Sequence, residues 1–214
     1  VRTAIVFAYN CFLQPLGKTN SQAERLDRFY QNQAGVYDAT RTGLLRGRRT
    51  MLKLCAAQMR KLREEQPHRP LVWVDIGGGT GWNIEQMDQY FPLAEFEQIY
   101  LIDLCDPLLD VARERFKRLG LRNVQVLCQN AKEFTCPGLA PERKVELFTA
   151  SYSISMIPPF YAVIDRINEF LDPQVGIFGV ADFYVSSNES TSDLGPLAGG
   201  NVSRRVHWFN SWFW

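Results

Sequence analysis

The sequence predicts an α/β domain with a central, mostly parallel sheet and helices on both faces, and three observations predict it. Apolar runs of strand length alternate with segments of helical apolar spacing between residues 71 and 181, the pattern that successive β-α-β crossovers leave in a sequence. The first of these runs, Val72-Trp73-Val74-Asp75-Ile76, empties into glycines at 77, 78, 79 and 81 before a helical stretch begins. The second, Glu97-Gln98-Ile99-Tyr100-Leu101-Ile102-Asp103, ends on a carboxylate as the first nearly does.

The elements follow in order. Residues 1–66 read as an N-terminal segment and helical lid. Ala4 to Leu16 is apolar but shorter than the roughly 20 residues that a membrane-crossing helix needs; it packs against the domain or lies on a membrane. A helix is predicted from Ser21 to Gln33, with its start at Asn20-Ser21 and apolar spacing at Ala23, Leu26, Phe29 and Tyr30. A second runs from Leu44 to Glu65, its apolar face built from Met51, Leu52, Leu54, Cys55, Met59 and Leu62, and Gln66-Pro67-His68-Arg69-Pro70 breaks it. The core spans 67–185: strand 71–76, helix 81–90, strand 97–103, helix 106–119, strands 123–128 and 144–150, helix 158–170 and strand 174–181. Residues 186–214 read as a linker and an aromatic tail. The Val1 start and the Trp208-Phe209-Asn210-Ser211-Trp212-Phe213-Trp214 end suggest a piece of a longer polypeptide, with something covering the aromatic residues. No basic start and small-residue cleavage site of a signal peptide are evident.

Composition narrows the function classes. The chain has 214 residues, 46% hydrophobic and 13% aromatic, enough to bury a substantial core. A formal charge of +1 gives no electrostatic argument for nucleic acid or for polybasic membrane binding. The five cysteines (Cys11, Cys55, Cys105, Cys128 and Cys136) form no C-x-x-C pair, and the histidines are His68 and His207 alone. Neither a metal site nor a disulfide framework is expected, and a reducing compartment is favoured.

The glycine hinge reads as a nucleotide-cofactor site. A dinucleotide fingerprint opening at Gly77 requires a glycine at 82, where Trp82 stands. Asp75 sits two positions before the first glycine, at the carboxyl end of a strand, where ligands of open α/β sheets bind. These features favour S-adenosylmethionine over a nicotinamide cofactor. An acid at the tip of the second strand, Asp103, can accept from both ribose hydroxyls. Asn130, after the third strand, can meet the adenine amine or simply start a turn. The expected cofactor set is Asp75, Gly77, Gly78, Gly79, Gly81, Asp103, Leu104, Asn130, Ala131 and Ser151. After the fourth strand, Ser151-Tyr152-Ser153-Ile154-Ser155-Met156-Ile157-Pro158-Pro159 brings hydroxyls that either orient an acceptor or cap the next helix. Tyr30 and Tyr37 of the lid, with Ser151 and Tyr152, are the catalytic candidates, and Asp182 after the fifth strand is a further proton acceptor. Lid packing is the other reading of the two lid tyrosines.

The strand-hinge-acid arrangement resembles the class I S-adenosylmethionine-dependent methyltransferases, which are Rossmann-like, over roughly residues 21–185. Phe29-Tyr30-Gln31-Asn32-Gln33-Ala34-Gly35-Val36-Tyr37-Asp38-Ala39-Thr40-Arg41, Leu44-Leu45-Arg46-Gly47-Arg48 and Val72 to Asn83 look like the methyltransferase half of the fungal betaine lipid synthase. That resemblance implies trimethylation of the homoserine amine of diacylglycerylhomoserine, giving diacylglyceryl-trimethylhomoserine. It also implies a lipid amine substrate at a membrane surface, a second transferase domain following in the same polypeptide, and a place in the cytoplasm or on the cytosolic face of the endoplasmic reticulum. The chain departs from the pattern after Tyr184, where Ser186 to Asp193 is polar and supplies no closing strands; the sheet is then completed beyond residue 214. Three other readings stand beside this one: a soluble amine acceptor, a quinol acceptor, and a non-catalytic cofactor-binding domain supporting its neighbour. An NAD-dependent oxidoreductase is disfavoured by Trp82 and by the lack of a catalytic His or Lys constellation.

Overall fold

The computed structural model describes residues 45–182, together with Glu24 and Asp38. Helix α1 (Arg48–Glu65) leads into strand β1 (Leu71–Ile76), and helix α2 (Trp82–Met87) carries the chain to β2 (Phe96–Asp103). Then come α3 (Asp106–Leu119), β3 (Val124–Cys128), β4 (Leu147–Ser151), α4 (Phe160–Phe170) and β5 (Ile177–Ala181). The strands form one sheet in the order β3-β2-β1-β4-β5, parallel at every pairing. The predicted Ser21–Gln33 helix, the Ala4–Leu16 segment and the 186–214 tail lie outside the described residues.

Side chains alternate across a strand, so a strand covered on both faces reads as a near-continuous apolar run. In β1 every residue is buried. Leu71 and Trp73 join Ile99, Leu101 and Leu147 on one face, under Met51, Leu52, Cys55 and Met59 of α1, Ile84 and Met87 of α2, and Leu109, Ala112 and Phe116 of α3. Val72, Val74 and Ile76 join Tyr100, Ile102, Phe148 and Ala150 on the other, under Val163 and Ile167 of α4. The β3–β4 connection folds in turns, and Phe134 fills that second face, 6.1 Å from the Phe148 ring and 5.1 Å from Phe170.

Where element ends differ from expectation, local chemistry explains the difference. Helix α1 starts at Arg48, not Leu44, because Gly47 takes a left-handed φ of 84°. Leu54, expected on its apolar face, is 65% exposed; at 100° per residue it falls about 60° outside the stripe running from Met51 to Ala56. Helix α2 ends at Met87 because the next turn tightens, with Gln89 and Tyr90 donating to Gln86 and Met87. Strand β5 starts late because Asp172 Oδ1 accepts from the amides of Gln174 and Val175 and turns the chain. Helix α3 matches its predicted span, ended by Gly120 at φ 67°. At the start of α1, the Arg48 guanidinium lies 3.9 Å over the centroid of Trp82, joining α1 to α2.

A charged cluster closes the amino-terminal edge of the sheet. Glu146, fully buried, accepts from Arg69 Nε at 2.9 Å, Arg143 Nη1 at 2.7 Å and Nη2 at 3.0 Å, and the amide of Val72 at 2.8 Å. Arg69 also pairs with Asp172. Burial works against the Asp172 charge, but the two turn amides and Arg69 outweigh it and hold the carboxyl below its usual range. The cluster takes up residues 143–146, which is why β4 begins at Leu147 and not at 144. Removing one partner of a buried pair strands the others. Glu146→Ala should therefore lower the unfolding free energy by about 3–5 kcal/mol, measured by urea denaturation.

Candidate functional site

All five strands point their carboxyl ends at one edge, and the loops there enclose a cavity. It is lined by Gly77 and Gly79 after β1, Asp103, Leu104 and Cys105 after β2, Gln129, Asn130 and Ala131 after β3, and Ser151, Tyr152 and Ser153 after β4. Leu108 of α3 and the loop residues Met156 and Ile157 complete the wall.

The hinge is shaped by hydrogen bonds from β2. Gly77 N–H donates to Ile102 O at 2.7 Å, and Gly79 N–H donates to Asp103 Oδ2 at 2.9 Å. Asp103 Oδ1 accepts from Cys105 N–H at 2.9 Å, so two backbone amides fix the carboxylate that lines the cavity. Gly79 has φ 52°, yet a Cβ there would meet only ordinary contacts, Leu108 at 3.6 Å and Asp103 Oδ2 at 3.9 Å. The left-handed backbone alone favours glycine at 79, since a Cβ there would be tolerated beside Leu108 and Asp103. Gly81 is different: a Cβ would stand 2.4 Å from the Phe116 ring, so it seats α2 against α3. Gly78 likewise packs on Leu101 and Asp75. Of the four glycines expected at the cofactor, two line the cavity and two pack behind it.

Asp75, expected to meet the cofactor directly, lies beneath the hinge. It is fully buried and accepts from Thr149 Oγ1 at 2.6 Å and from Asn83 Nδ2 at 3.0 Å. Trp73 Nε1 donates to Thr149 Oγ1 at 2.8 Å, and Asn83 Nδ2 donates to Ser151 Oγ at 3.0 Å. The carboxylate thus sits inside a buried chain that surfaces at Ser151. Burial pushes the Asp75 carboxyl up to about 6, against the opposing pull of the Thr149 and Asn83 hydrogen bonds.

Tyr152 takes a left-handed φ of 55°, a conformation that costs a non-glycine residue about 1–3 kcal/mol and concentrates at functional sites. Its amide donates to Ala181 O at 2.8 Å and its hydroxyl to Arg46 O at 2.5 Å. Burial raises its pKa, Arg48 works in the other direction, and Asp182 adds to the rise. Asn130 lines the cavity while its Oδ1 accepts from Lys132 N–H at 3.1 Å, so the turn-starting reading and the cavity position are both realised. Asp182 lies off this cavity, its carboxylate taking the Ser155 amide at 3.0 Å and hydroxyl at 2.6 Å. Tyr30 and Tyr37 lie outside the described residues. Ser153, one of the hydroxyls expected after β4, lines the cavity, and the lining also includes Cys105, Leu108, Gln129, Met156 and Ile157, which the sequence pattern did not single out.

Residues 74–174 match the model of a family described as a methyltransferase domain. Among solved structures, the chain is similar to an S-adenosylmethionine-bound amino pentose methyltransferase from Micromonospora echinaspora, with TM-score 0.51, 18% identity, and 70% of this chain and 57% of that one covered. A putative S-adenosylmethionine-dependent methyltransferase from Methanococcus maripaludis aligns at TM-score 0.52 and 13% identity, covering 77% and 66%. The chain has the class I S-adenosylmethionine-dependent methyltransferase fold. Demethylmenaquinone methyltransferase of Geobacillus stearothermophilus is 23% identical over 154 residues, 72% of this chain and 61% of the relative. Protein-L-isoaspartate O-methyltransferase of Methanosarcina mazei is 30% identical over 81 residues, 38% and 32%. The chain therefore spans between a third and three fifths of the curated relatives it matches.

S-adenosylmethionine is the cofactor of this methyltransferase class, and the residues fit it. The cavity-lining backbone of Gly77 and Gly79, the amide-held Asp103 carboxylate and an apolar slot of Leu104, Leu108, Ala131 and Ile157 suit a nucleoside with ribose hydroxyls.

Two predictions follow the geometry. Asp103→Ala removes charge-assisted bonds worth about 1.5–3 kcal/mol each and frees the hinge amide, so S-adenosylmethionine should bind at least roughly tenfold more weakly in calorimetric titration. For Asp75, a folded-state pKa of about 6 against the usual 3.8 means that the folded protein binds this proton more tightly. Its contribution is then most favourable below pH 3.8 and is lost as pH rises through 6. Relative to wild type, Asp75→Asn should gain about 3 kcal/mol between pH 4 and 7, at 1.36 kcal/mol per pKa unit, measured by urea unfolding across that range.

Proposed function

We propose that this chain methylates the homoserine amine of diacylglycerylhomoserine, with S-adenosylmethionine as methyl donor. The observation that carries methyl transfer is that one cavity is lined by the Asp103 carboxylate, by the glycine hinge and by Ser151 and Tyr152. In this reading Asp103 accepts from the ribose hydroxyls, Asn130 and Ala131 frame the base, and the Gly77–Gly79 backbone lies along the cofactor. The bound sulfonium supplies an electrophilic methyl group with a built-in leaving group. The protein's task is then alignment and exclusion of water, worth up to about 7–11 kcal/mol. A raised pKa keeps the Tyr152 phenol protonated, and its proton is committed to Arg46 O. Tyr152 and Ser151 therefore orient the acceptor through their oxygens, without acting as strong bases.

The lipid acceptor is supported by the resemblance to betaine lipid synthase and by the character of the cavity mouth. Met156 and Ile157 line the cavity, and Met156, Phe160, Tyr161 and Ile164 are exposed on the same loop and the first turns of α4. Aromatic residues with apolar neighbours suit a bilayer interface. The reading includes a following transferase domain that delivers the amine. A second reading, methylation of a quinol, is favoured by the relative whose name gives demethylmenaquinone as acceptor.

The test uses radiolabelled S-adenosylmethionine and three acceptors: diacylglycerylhomoserine in micelles, free homoserine and demethylmenaquinol in micelles. Label should enter a chloroform-extractable product with the first and scarcely with the second. Labelling of the quinol alone would select the second reading, and binding of the cofactor with no turnover on any acceptor would leave a non-catalytic domain.

A further inference from the structure

Asp38 stands outside the matched methyltransferase domain, yet it reaches the cofactor hinge. Thr80, between Gly79 and Gly81, is 2% exposed and donates its hydroxyl to Asp38 Oδ1 at 2.8 Å. Arg115 of α3 donates to the other oxygen of Asp38. The same Arg115 pairs through Nε with Glu85 of α2 at 3.2 Å, and Arg118 meets Glu85 at 3.5 Å. The side chains of Asp38 and Arg115 are 24% and 12% exposed, so water screens this pair less than it screens a surface ion pair.

One carboxylate thus grips the hinge and helix α3 together. Thr80 adjoins Gly79, whose amide is bonded to Asp103, and Arg115 lies on the helix whose Phe116 packs against Gly81. We infer that Asp38 is a positioning residue for the cofactor: by holding Thr80 against Arg115 it keeps the hinge in the shape that presents Gly79 to the cavity. This rests on the cavity being the S-adenosylmethionine site. Because coupling is reciprocal, cofactor binding and the seating of Asp38 on Thr80 favour one another. Asp38 then takes part in cofactor capture from outside the residues that match the methyltransferase model.

Asp38→Asn removes the charge at nearly constant shape, and Asp38→Glu restores it. S-adenosylmethionine affinity by calorimetry should fall roughly fivefold or more in Asp38→Asn and recover in part in Asp38→Glu. Amide hydrogen exchange across residues 77–82 should quicken in cofactor-free Asp38→Asn, while its thermal unfolding midpoint stays with wild type. An affinity within about twofold of wild type, below the usual coupling range, would overturn the inference, as would unchanged hinge exchange. A midpoint loss that accounts for the whole affinity change would overturn it too, because Asp38 would then be a general stabiliser. If wild type takes up no S-adenosylmethionine, the cofactor reading falls and hinge exchange alone decides: faster exchange in Asp38→Asn supports the grip, and unchanged exchange rejects it.

Discussion

The arrangement depends on a carboxylate held in the dry interior at the end of the central strand. Asp75 draws donors from two other elements, Thr149 of β4 and Asn83 of α2, and a buried acceptor left without them costs more than their bonds contribute. Strand β1, its neighbour β4 and the helix after the hinge are therefore obliged to meet at one point. The glycines let the chain double back over that point, and Ser151, bonded to Asn83, brings the buried chain up to the cavity floor. Burial opposes the charge while the hydrogen bonds favour it. Asp75 is thus a specifying element that draws on stability supplied elsewhere.

A second buried carboxylate joins elements at the other edge of the sheet. Glu146 gathers Arg69, Arg143 and the Val72 amide, tying the entries of β1 and β4 together. The carboxyl edge is left with the features that cost energy, a left-handed Tyr152 and a buried acid, beside glycines whose left-handed backbone no Cβ opposes. Parallel strands permit this division because all their ends of one kind lie together.

The legible parts of the fold were those fixed by short-range rules. Helix α3 could be bounded because it stands between two strand-length apolar runs, and β1 because its apolar run empties into glycines. Gly47 was visible in sequence, yet whether it sits inside a helix or stops one depends on its φ, which packing decides. Asp103 and Asp75 look alike as strand-end acids. The difference is that α2 folds back to put Asn83 on Asp75, while Asp103 stays on the cavity wall. Asp75 lies inside a run whose neighbours on both faces are apolar, and that was the available sign that it is buried. Asp38 offered no sign at all, since its partners Thr80 and Arg115 are distant in the chain.

Trp82 has a consequence beyond its place in the glycine pattern. The indole that stands where a dinucleotide loop has its third glycine is also the surface on which Arg48 rests. Replacing it by glycine to admit a longer cofactor would also remove the contact that the first turn of helix α1 makes with α2, leaving α1 held by its Met51–Leu62 face on the sheet. Ligand preference and the seating of a helix's first turn are thus written into one side chain. An evolutionary path from this domain toward nicotinamide chemistry gives up that contact when it changes the loop.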